Sequence, residues 1–221
     1  MLGMNEKLRK REEDGRPIRV GIVGAGQMGS GMVSQMMLMK GMRPSVVVDI
    51  RIENARNAYL HAKVPEDRIV VATNAREAGR AIEQDNYVIS EDAGILASTD
   101  LLDAVVDATG VPEIGAMVAM NGILNGKHVV MLNVETDIVI GPWLKRMAES
   151  AGVIYTGSAG DEPGAVKEMY DFADALGLEI RVIGKGKNNA INLEANPDNV
   201  REEANRRGIS PKMLTAFKDG T

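Results

Sequence analysis

The chain of 221 residues contains no cysteine and very few aromatic residues. Without cysteine it can form no disulfide, no thiolate nucleophile and no zinc site built on thiolates. Because aromatic residues make up only 3% of the chain while hydrophobic residues make up 44%, the core must be built mainly from Val, Ile, Leu, Ala and Met. Such a core suits a parallel sheet that is covered by helices.

Long apolar runs and long basic clusters are also absent from the sequence. No run approaches the length of a membrane-spanning segment, and the charged residues 1–16 lack the apolar stretch of a signal peptide. The 31 acidic and 26 basic residues give a net charge of -5, and no basic cluster is patterned to follow a phosphate backbone. We therefore expect a cytoplasmic protein that binds neither nucleic acid nor membranes.

A glycine-rich turn directly follows the first apolar segment. Residues 18–31 read IRVGIVGAGQMGSG, an apolar strand that runs into Gly24, Gly26 and Gly29 and then into a methionine-rich helix. In such a pattern the first glycine permits a tight turn, the second lets the backbone approach a pyrophosphate, and the third lets helix and strand pack closely. The helix directs its unpaired N–H groups at the phosphates. The pattern predicts a dinucleotide-binding site.

A second apolar strand, residues 46–48, ends in Asp49 about 20 residues after the last of these glycines. A carboxylate at this position accepts hydrogen bonds from the adenosine ribose, and its charge would repel a 2′-phosphate, which favours NAD. Arg51 and Arg56 follow closely, and a guanidinium turned inward would instead bind a 2′-phosphate. The sequence leaves the choice between NAD and NADP open.

Strand-like and helix-like segments alternate along the chain, which predicts an α/β fold with a Rossmann-type, doubly wound, mostly parallel sheet. We predict strands at the apolar runs 18–23, 45–49, 68–72, 104–108, 128–133, 153–156 and 179–184. The stretch 84–99 is interpreted as an insertion that forms a small extra strand or a lid.

Three segments are expected along the chain. Residues 1–16 form a charged N-terminal arm, either a short helix or mobile, and residues 17–160 form the NAD(P)-binding domain. Residues 161–221 carry the last Rossmann elements and the start of a second domain for substrate binding and dimerisation.

Polar clusters follow four of the predicted strands, where the carboxyl ends of a doubly wound sheet bind ligands. They are the turn at 109–112, the predicted loop 133–137 with an amide and two carboxylates, the segment 157–164 with adjacent Asp161 and Glu162, and the basic segment 184–189. A lysine can polarise a carbonyl or hold a carboxylate or phosphate, and a carboxylate can move the hydroxyl proton. The paired acids could alternatively bind a divalent cation or cap helices.

Five motifs together resemble one group of oxidoreductases. The motifs PIRVGIVGAGQMG, VVDATGVPE, GKHVVMLNVETD, YTGSAGDEPG and GKGKNN are similar to those of homoserine-dehydrogenase-like proteins with a C-terminal SAF domain. This group includes a deoxyxylulose-phosphate reductoisomerase-like enzyme that uses NADPH in isoprenoid biosynthesis. The resemblance runs from about Pro17 to the end of the chain.

The resemblance implies a role for individual residues. By position, the pyrophosphate would be held by Gly24, Ala25, Gly26, Gln27, Met28 and Gly29, the adenosine ribose by Asp49 and Arg51, and the nicotinamide would be flanked by Thr109 and Gly110. The substrate would face Glu135, Asp161, Glu162, Lys185 and Lys187, with Lys187 and Asp161 as the leading catalytic candidates.

The family continues into the rest of a substrate and dimerisation domain, so we expect a truncated chain whose exposed apolar surface leads to homo-oligomers. The leading functional hypothesis is an NAD(P)-dependent oxidoreductase acting on a small carbonyl or hydroxyl substrate that bears a carboxylate or phosphate. The alternative is a dinucleotide-binding module or fragment without a complete active site.

Overall fold

The computed structural model describes residues 3–158, 162–184 and 190–219. The chain forms two compact units, Met1–Ala165 and Val166–Thr221. Among the described residues, no helix is both long and apolar enough to cross a bilayer.

The first unit is built on a sheet of seven parallel strands. In chain order these strands are β1 (Ile18–Val23), β2 (Met42–Val48), β3 (Ile69–Val71), β4 (Tyr87–Ser90), β5 (Ala104–Asp107), β6 (His128–Met131) and β7 (Tyr155–Gly157). Their order across the sheet is β3-β4-β2-β1-β5-β6-β7. This architecture confirms the predicted Rossmann-type α/β fold.

Helices connect the strands and cover both faces of the sheet. Those of the first unit are α1 (Met4–Glu13), α2 (Gln27–Leu38), α3 (Ile52–His61), α4 (Ala75–Glu83), α5 (Gly94–Ser98), α6 (Pro112–Leu124) and α7 (Val134–Ala151), with a short 3-10 helix at Glu66–Arg68. Successive residues of a strand point to opposite faces, so Val46 and Val48 join one hydrophobic core and Val47 the other. Most of the charged N-terminal arm, residues 1–16, forms helix α1.

The direction of chain winding reverses between β1 and β5, which are hydrogen-bonded neighbours. From β1 the chain proceeds outward through β2 in one direction, and from β5 it proceeds through β6 and β7 in the other. Ligands of open α/β sheets bind in the crevice at the carboxyl ends of the strands at such a reversal. The turns after β1 and β5 therefore border the candidate site.

The structure corrects two predictions of secondary structure. The stretch 84–99 is not an insertion, because β4 lies within the sheet between β3 and β2, and all four of its residues are buried. The apolar run 179–184 forms no strand. Its alternating apolar residues resemble a strand, but a strand also needs neighbouring backbone to pair with.

In the described residues of the second unit, all regular secondary structure is helical. Helix α8 (Glu162–Ala175) begins in the first unit and continues into the second, which also contains α9 (Arg201–Arg207) and α10 (Pro211–Asp219). A small core of its own holds this unit, formed by Ala195, Val200, Ala204 and Leu214.

Candidate cofactor site

Two of the three glycines are required by close backbone packing. Gly24 has a φ of 90°, and a Cβ there would lie 2.8 Å from the carbonyl carbon and oxygen of Ala108. A Cβ on Gly29 would lie 1.8 Å from the carbonyl oxygen of Gly24. No side chain fits either position, so the tight turn and the close packing of α2 on β1 that the sequence predicts are both confirmed.

Gly26 is different, because a Cβ on it would meet no heavy atom within 4 Å. It is the N-cap of α2, and no side chain caps this helix end. Gly26, Gln27 and Met28 are exposed, whereas Ala25 and Gly29 are buried. The turn therefore offers open space in front of uncapped N–H groups, which fits the pyrophosphate of a dinucleotide.

Asp49 follows β2 and is bonded to the glycine turn. Its Oδ2 accepts a hydrogen bond from the Ala25 N–H (2.9 Å), and its Oδ1 accepts from the Arg51 N–H (2.9 Å) and the Asn54 side chain (3.0 Å). Each carboxylate oxygen has two lone pairs, so Oδ2 keeps one for a further donor. Asp49 thus braces the turn and retains acceptor capacity for a ribose hydroxyl.

The two arginines near Asp49 differ in their surroundings. Arg51 is the exposed N-cap residue of α3, and its guanidinium has no partner among the described residues. Arg56 is more enclosed, and its Nε lies 3.6 Å from a carboxylate oxygen of Glu53. Of the two, Arg51 is better placed to pair with a phosphate, because its charge is not already engaged.

The turn after β5 is fixed by buried polar groups. The Asp107 carboxylate accepts hydrogen bonds from the Thr109 N–H (3.0 Å) and from the Asn133 side-chain amide (2.7 Å). Thr109 is half-buried, and Gly110 is exposed with a φ of 65°. These two residues, predicted to flank the nicotinamide, lie on a braced turn beside the glycine turn.

Sequence reasoning assigned no role to Asp107 and did not recognise how Asn133 acts. Both side chains are fully buried. The sequence carried one signal for each of them. An aspartate ends β5, as another directly follows β2, and an asparagine immediately before a helical segment is typical of an N-cap.

The segment after β6 is helical, which corrects the prediction of a loop at 133–137. Asn133 caps α7, and Glu135 and Asp137 lie in its first turn, where acidic side chains complement the helix dipole. Glu135 is exposed. Asp137 instead turns inward and accepts a hydrogen bond from the Tyr155 hydroxyl (2.8 Å). Burial and this bond raise the pKa of Tyr155, so its hydroxyl stays protonated.

A cleft of about 460 Å³ lies beside α7 and β7. It is lined by side chains and backbone from Asp137, Ile138, Gly141, Pro142, Lys145, Tyr155, Thr156 and Gly157. Pro142 has no N–H, so the carbonyl of Ile138 lacks its usual helical donor. The cleft is at the carboxyl edge of the sheet but three strands from β1, so it is separate from the glycine turn.

The predicted convergence of four polar segments is found only in part. The structure brings together the turn after β5 and the start of α7 through Asn133. Asp137 is bonded to Tyr155, the first residue of β7, and not to the polar segment that follows this strand. The basic segment follows no strand. Asp161, Lys185 and Lys187 lie outside the described residues, as does the side chain of Glu162. In the part of the chain described, no group of three or more His, Asp or Glu residues could hold a metal ion.

The end of the chain matches a known family. Residues 160–221, less than a third of the chain, match the family described as oxidoreductase DRL, catalytic domain. The matched family is of the class, an oxidoreductase, that the sequence predicts. A comparison with curated protein sequences gives no significant match.

Solved structures share the fold at low sequence identity. Homoserine dehydrogenase from Thiobacillus denitrificans is 18% identical with a TM-score of 0.53, over 72% of this chain and 34% of that one. Myo-inositol dehydrogenase from Lactobacillus casei, solved with NAD(H) and myo-inositol, is 18% identical with a TM-score of 0.51, over 71% and 42%. A 3-ketoreductase from Actinomadura kijaniata, solved with NADP, is 19% identical with a TM-score of 0.50, over 75% and 45%.

The chain thus spans less than half the length of these structures. At such identities the likeness concerns the fold alone. The chain combines a Rossmann-type fold with a C-terminal segment that is similar to an oxidoreductase catalytic domain.

Proposed function

We propose that the protein is an NAD(P)-dependent oxidoreductase that transfers a hydride between the nicotinamide and a carbonyl or hydroxyl carbon of a small substrate. The observation that carries the proposal is the open turn at Gly26, which lies before an uncapped helix and is braced by Asp49. The family match supports the reaction class, and the shared fold with dehydrogenases that bind NAD(H) or NADP supports the cofactor.

For the substrate we propose a carboxylate- or phosphate-bearing compound, handled in the manner of homoserine dehydrogenases or deoxyxylulose-phosphate reductoisomerase-like enzymes. The resemblance of the sequence motifs supports this class, and it implies that Lys187 and Asp161 are the main catalytic residues. Glu135, Glu162 and Lys185 are the further candidates at the substrate.

The choice of cofactor depends on Asp49 and Arg51. Titration of the protein with NADH and with NADPH, monitored by cofactor fluorescence, measures the affinity for each cofactor directly. Tighter NADPH binding that is lost in Arg51→Ala would assign the unpaired guanidinium to the 2′-phosphate. Tighter NADH binding that is lost in Asp49→Asn would assign the carboxylate to the ribose hydroxyls.

The proposed function is tested most sharply by Gly26→Ala. Gly26 has a φ of -70°, which alanine adopts without strain, and the new Cβ meets open space in the free protein. Stability should therefore change by less than about 1 kcal/mol. Because the same Cβ enters the space required by the pyrophosphate, dinucleotide affinity should fall by roughly tenfold or more.

Gly31→Ala is the matched control, because it adds the same methyl group to open space on α2 away from the turn. It should leave affinity unchanged. Equal affinity of wild type and Gly26→Ala for both dinucleotides would overturn the proposed site. Tight binding without oxidation of NADH or NADPH by carboxylated or phosphorylated carbonyl compounds would favour the alternative, a dinucleotide-binding module without catalysis.

We propose that the protein is a homo-oligomer in the cytoplasm and that it binds neither nucleic acid nor membranes. The net charge of -5 supports the lack of nucleic-acid binding. Exposed apolar side chains on α8 support self-association.

A further inference from the structure

Asn133 connects three segments at the carboxyl edge of the sheet. Its side-chain amide nitrogen donates to Asp107 Oδ2 (2.7 Å) and to the carbonyl of Val111 (2.9 Å). Its side-chain oxygen accepts from the Thr136 N–H (3.1 Å). Both amide hydrogens and the oxygen are therefore used, and one side chain ties the end of β5 and the turn after it to the start of α7.

The hydrogen-bonded pair of Asp107 and Asn133 is entirely buried, and burial of polar side chains costs free energy. Asp107 and Asn133 are both 0% exposed, and a buried carboxylate is unfavourable unless hydrogen bonds compensate for its lost hydration. The remaining residues of β5 are Ala104, Val105 and Val106, so an apolar residue would suit the packing of the strand. What the buried pair does in the structure is hold the turn after β5, through the Thr109 N–H and the Val111 carbonyl.

The surrounding structure leaves this pair little freedom. A Cβ on Gly115 in α6 would lie 2.2 Å from Thr136 Oγ1, 2.5 Å from Asp107 Oδ2 and 2.6 Å from the amide nitrogen of Asn133. Thr136 also donates from its hydroxyl to the carbonyl of Pro112 (3.1 Å). Displacement of Asn133 would therefore be transmitted to the turn, which the pair holds at the Thr109 N–H and the Val111 carbonyl.

This turn lies directly against the glycine turn. A Cβ on Gly24 would lie 3.0 Å from the Thr109 nitrogen, so the two turns are in contact. Asp49, on the β2 side of β1, defines the adenosine side of the proposed site. A dinucleotide whose pyrophosphate lies at Gly26 then extends in the opposite direction, over the carboxyl ends of β5 and β6.

From these contacts we infer that Asn133, acting through Asp107 and the turn 108–111, is a positioning residue for the nicotinamide half of the dinucleotide. The inference rests on the proposed function. Asn133 itself is buried beneath the turn and does not reach the ligand, so its effect on binding is indirect. It should affect the nicotinamide half of the ligand and leave the adenosine half unaffected.

Two pairs of ligands distinguish binding of the nicotinamide half of the dinucleotide from binding of its adenosine half. NADH is compared with ADP-ribose, and NADPH with 2′-phospho-ADP-ribose, in which the nicotinamide is missing. Asn133→Ser keeps a hydroxyl that caps α7 but removes the donor to Asp107 and Val111. Dissociation constants are measured by calorimetry at a temperature at which circular dichroism shows every variant folded. Asp107→Asn, which keeps the size of the side chain but places an amide against an amide, is the second variant.

We expect both variants to weaken dinucleotide binding by roughly tenfold and to change binding of the nicotinamide-free ligand by less than about twofold. Asn74→Ser is the matched control, because it makes the same substitution at another helix cap: the Asn74 side chain caps α4 by accepting from the Glu77 N–H (3.0 Å), away from both turns. It should leave all four constants unchanged.

Two results would overturn the positioning role. One is an equal loss of affinity for both members of a ligand pair, which would indicate general damage to the fold, and the other is no loss at all. Equal binding of NADH and ADP-ribose by the wild type would also overturn it, because the nicotinamide would then contribute nothing for the turn to hold. Failure of the wild type to bind any of the four ligands would instead refute the proposed function.

Discussion

Gly29 and Gly31 lie two positions apart in α2, yet their surroundings are opposite. A Cβ on Gly29 would lie 1.8 Å from the carbonyl oxygen of Gly24, whereas a Cβ on Gly31 would meet no atom within 4 Å. Glycine in a helix costs stability relative to alanine, so it is expected to persist where a larger residue cannot fit. The need for glycine at residue 29 therefore comes from the close approach of β1 and α2.

The two glycines give a matched pair of substitutions. Gly29→Ala should lower the free energy of unfolding by about 1–3 kcal/mol and weaken dinucleotide binding, because the helix must move away from the turn. Gly31→Ala should raise the free energy of unfolding by about 0.5–1 kcal/mol with no change in affinity. Urea denaturation and NADH titration measure both effects. A Gly29→Ala variant as stable as the wild type would contradict the packing described.

At the scale of elements, Asp85 lies in the connection between α4 and β4 and is the centre of its charged contacts. Asp85 has a φ of 63°, and its carboxylate pairs with Arg43 of β2 and with Arg68. The Arg43 guanidinium also lies over the ring of Tyr87, 4.4 Å from its centre. These contacts fix the start of β4 against β2. Hydrogen bonds from Arg43, and then from Arg68, lower the pKa of Asp85.

The lowered pKa predicts a pH-dependent contribution to stability. A carboxylate whose pKa is lower in the folded state stabilises the fold fully above its unfolded pKa of about 3.9, and this contribution is lost as the pH falls through the folded value. Asp85→Asn keeps the side chain's size and tolerates positive φ. It should reduce the free energy of unfolding at pH 7 by about 1 kcal/mol or less, because the carboxylate is largely exposed and screened.

The difference between wild type and Asp85→Asn should shrink as the pH falls below about 4, because the unfolded-state carboxyl takes up its proton first. It should vanish only below the lowered folded-state pKa of Asp85, where both side chains are neutral. Thermal unfolding at a series of pH values measures it. Glu149→Gln is the control, because it removes an exposed ion pair with Lys145 within α7 and should have a smaller effect at pH 7. A difference at pH 3 as large as at pH 7 would show that the charge of Asp85 is not what stabilises the connection.

At the scale of the whole molecule, the largest unexplained feature is apolar surface. Helix α8 exposes Met169 and Phe172, which are 74% and 71% exposed and lie three positions apart on one helix face, and Leu176 directly after the helix is 60% exposed. Exposed apolar patches of this kind are usual at sites of association. This observation supports the proposed homo-oligomer.

The proposed oligomer predicts association that depends on protein concentration. Phe172→Glu should raise the dissociation constant of the oligomer at least about tenfold, since burial of a large apolar side chain contributes about 1.5–3 kcal/mol. Asn205→Glu adds the same charge to an exposed position of α9 and should have no effect. Sedimentation velocity over a range of concentrations measures both. A wild-type protein that stays monomeric at its highest soluble concentration would refute the proposal.

The sequence by itself determined the fold class and the glycine turn. Alternating apolar segments and the spacing of Gly24, Gly26 and Gly29 are properties of residues close together in the chain, and local periodicity and turn chemistry depend on such neighbours. The same is true of Asp49, whose place after an apolar strand could be read directly. The sequence is therefore sufficient where the structural cause is local.

Only the tertiary structure decided what depends on residues distant in sequence. β4 belongs to the sheet because β2 and β3 pair with it, and the run 179–184 looks like a strand by pattern yet forms none. Asp107 and Asn133 are 26 positions apart and meet only because β5 and β6 are neighbours. Hydrogen bonds between side chains carry no periodicity along the chain, so this buried pair could be found only when the strand order was known.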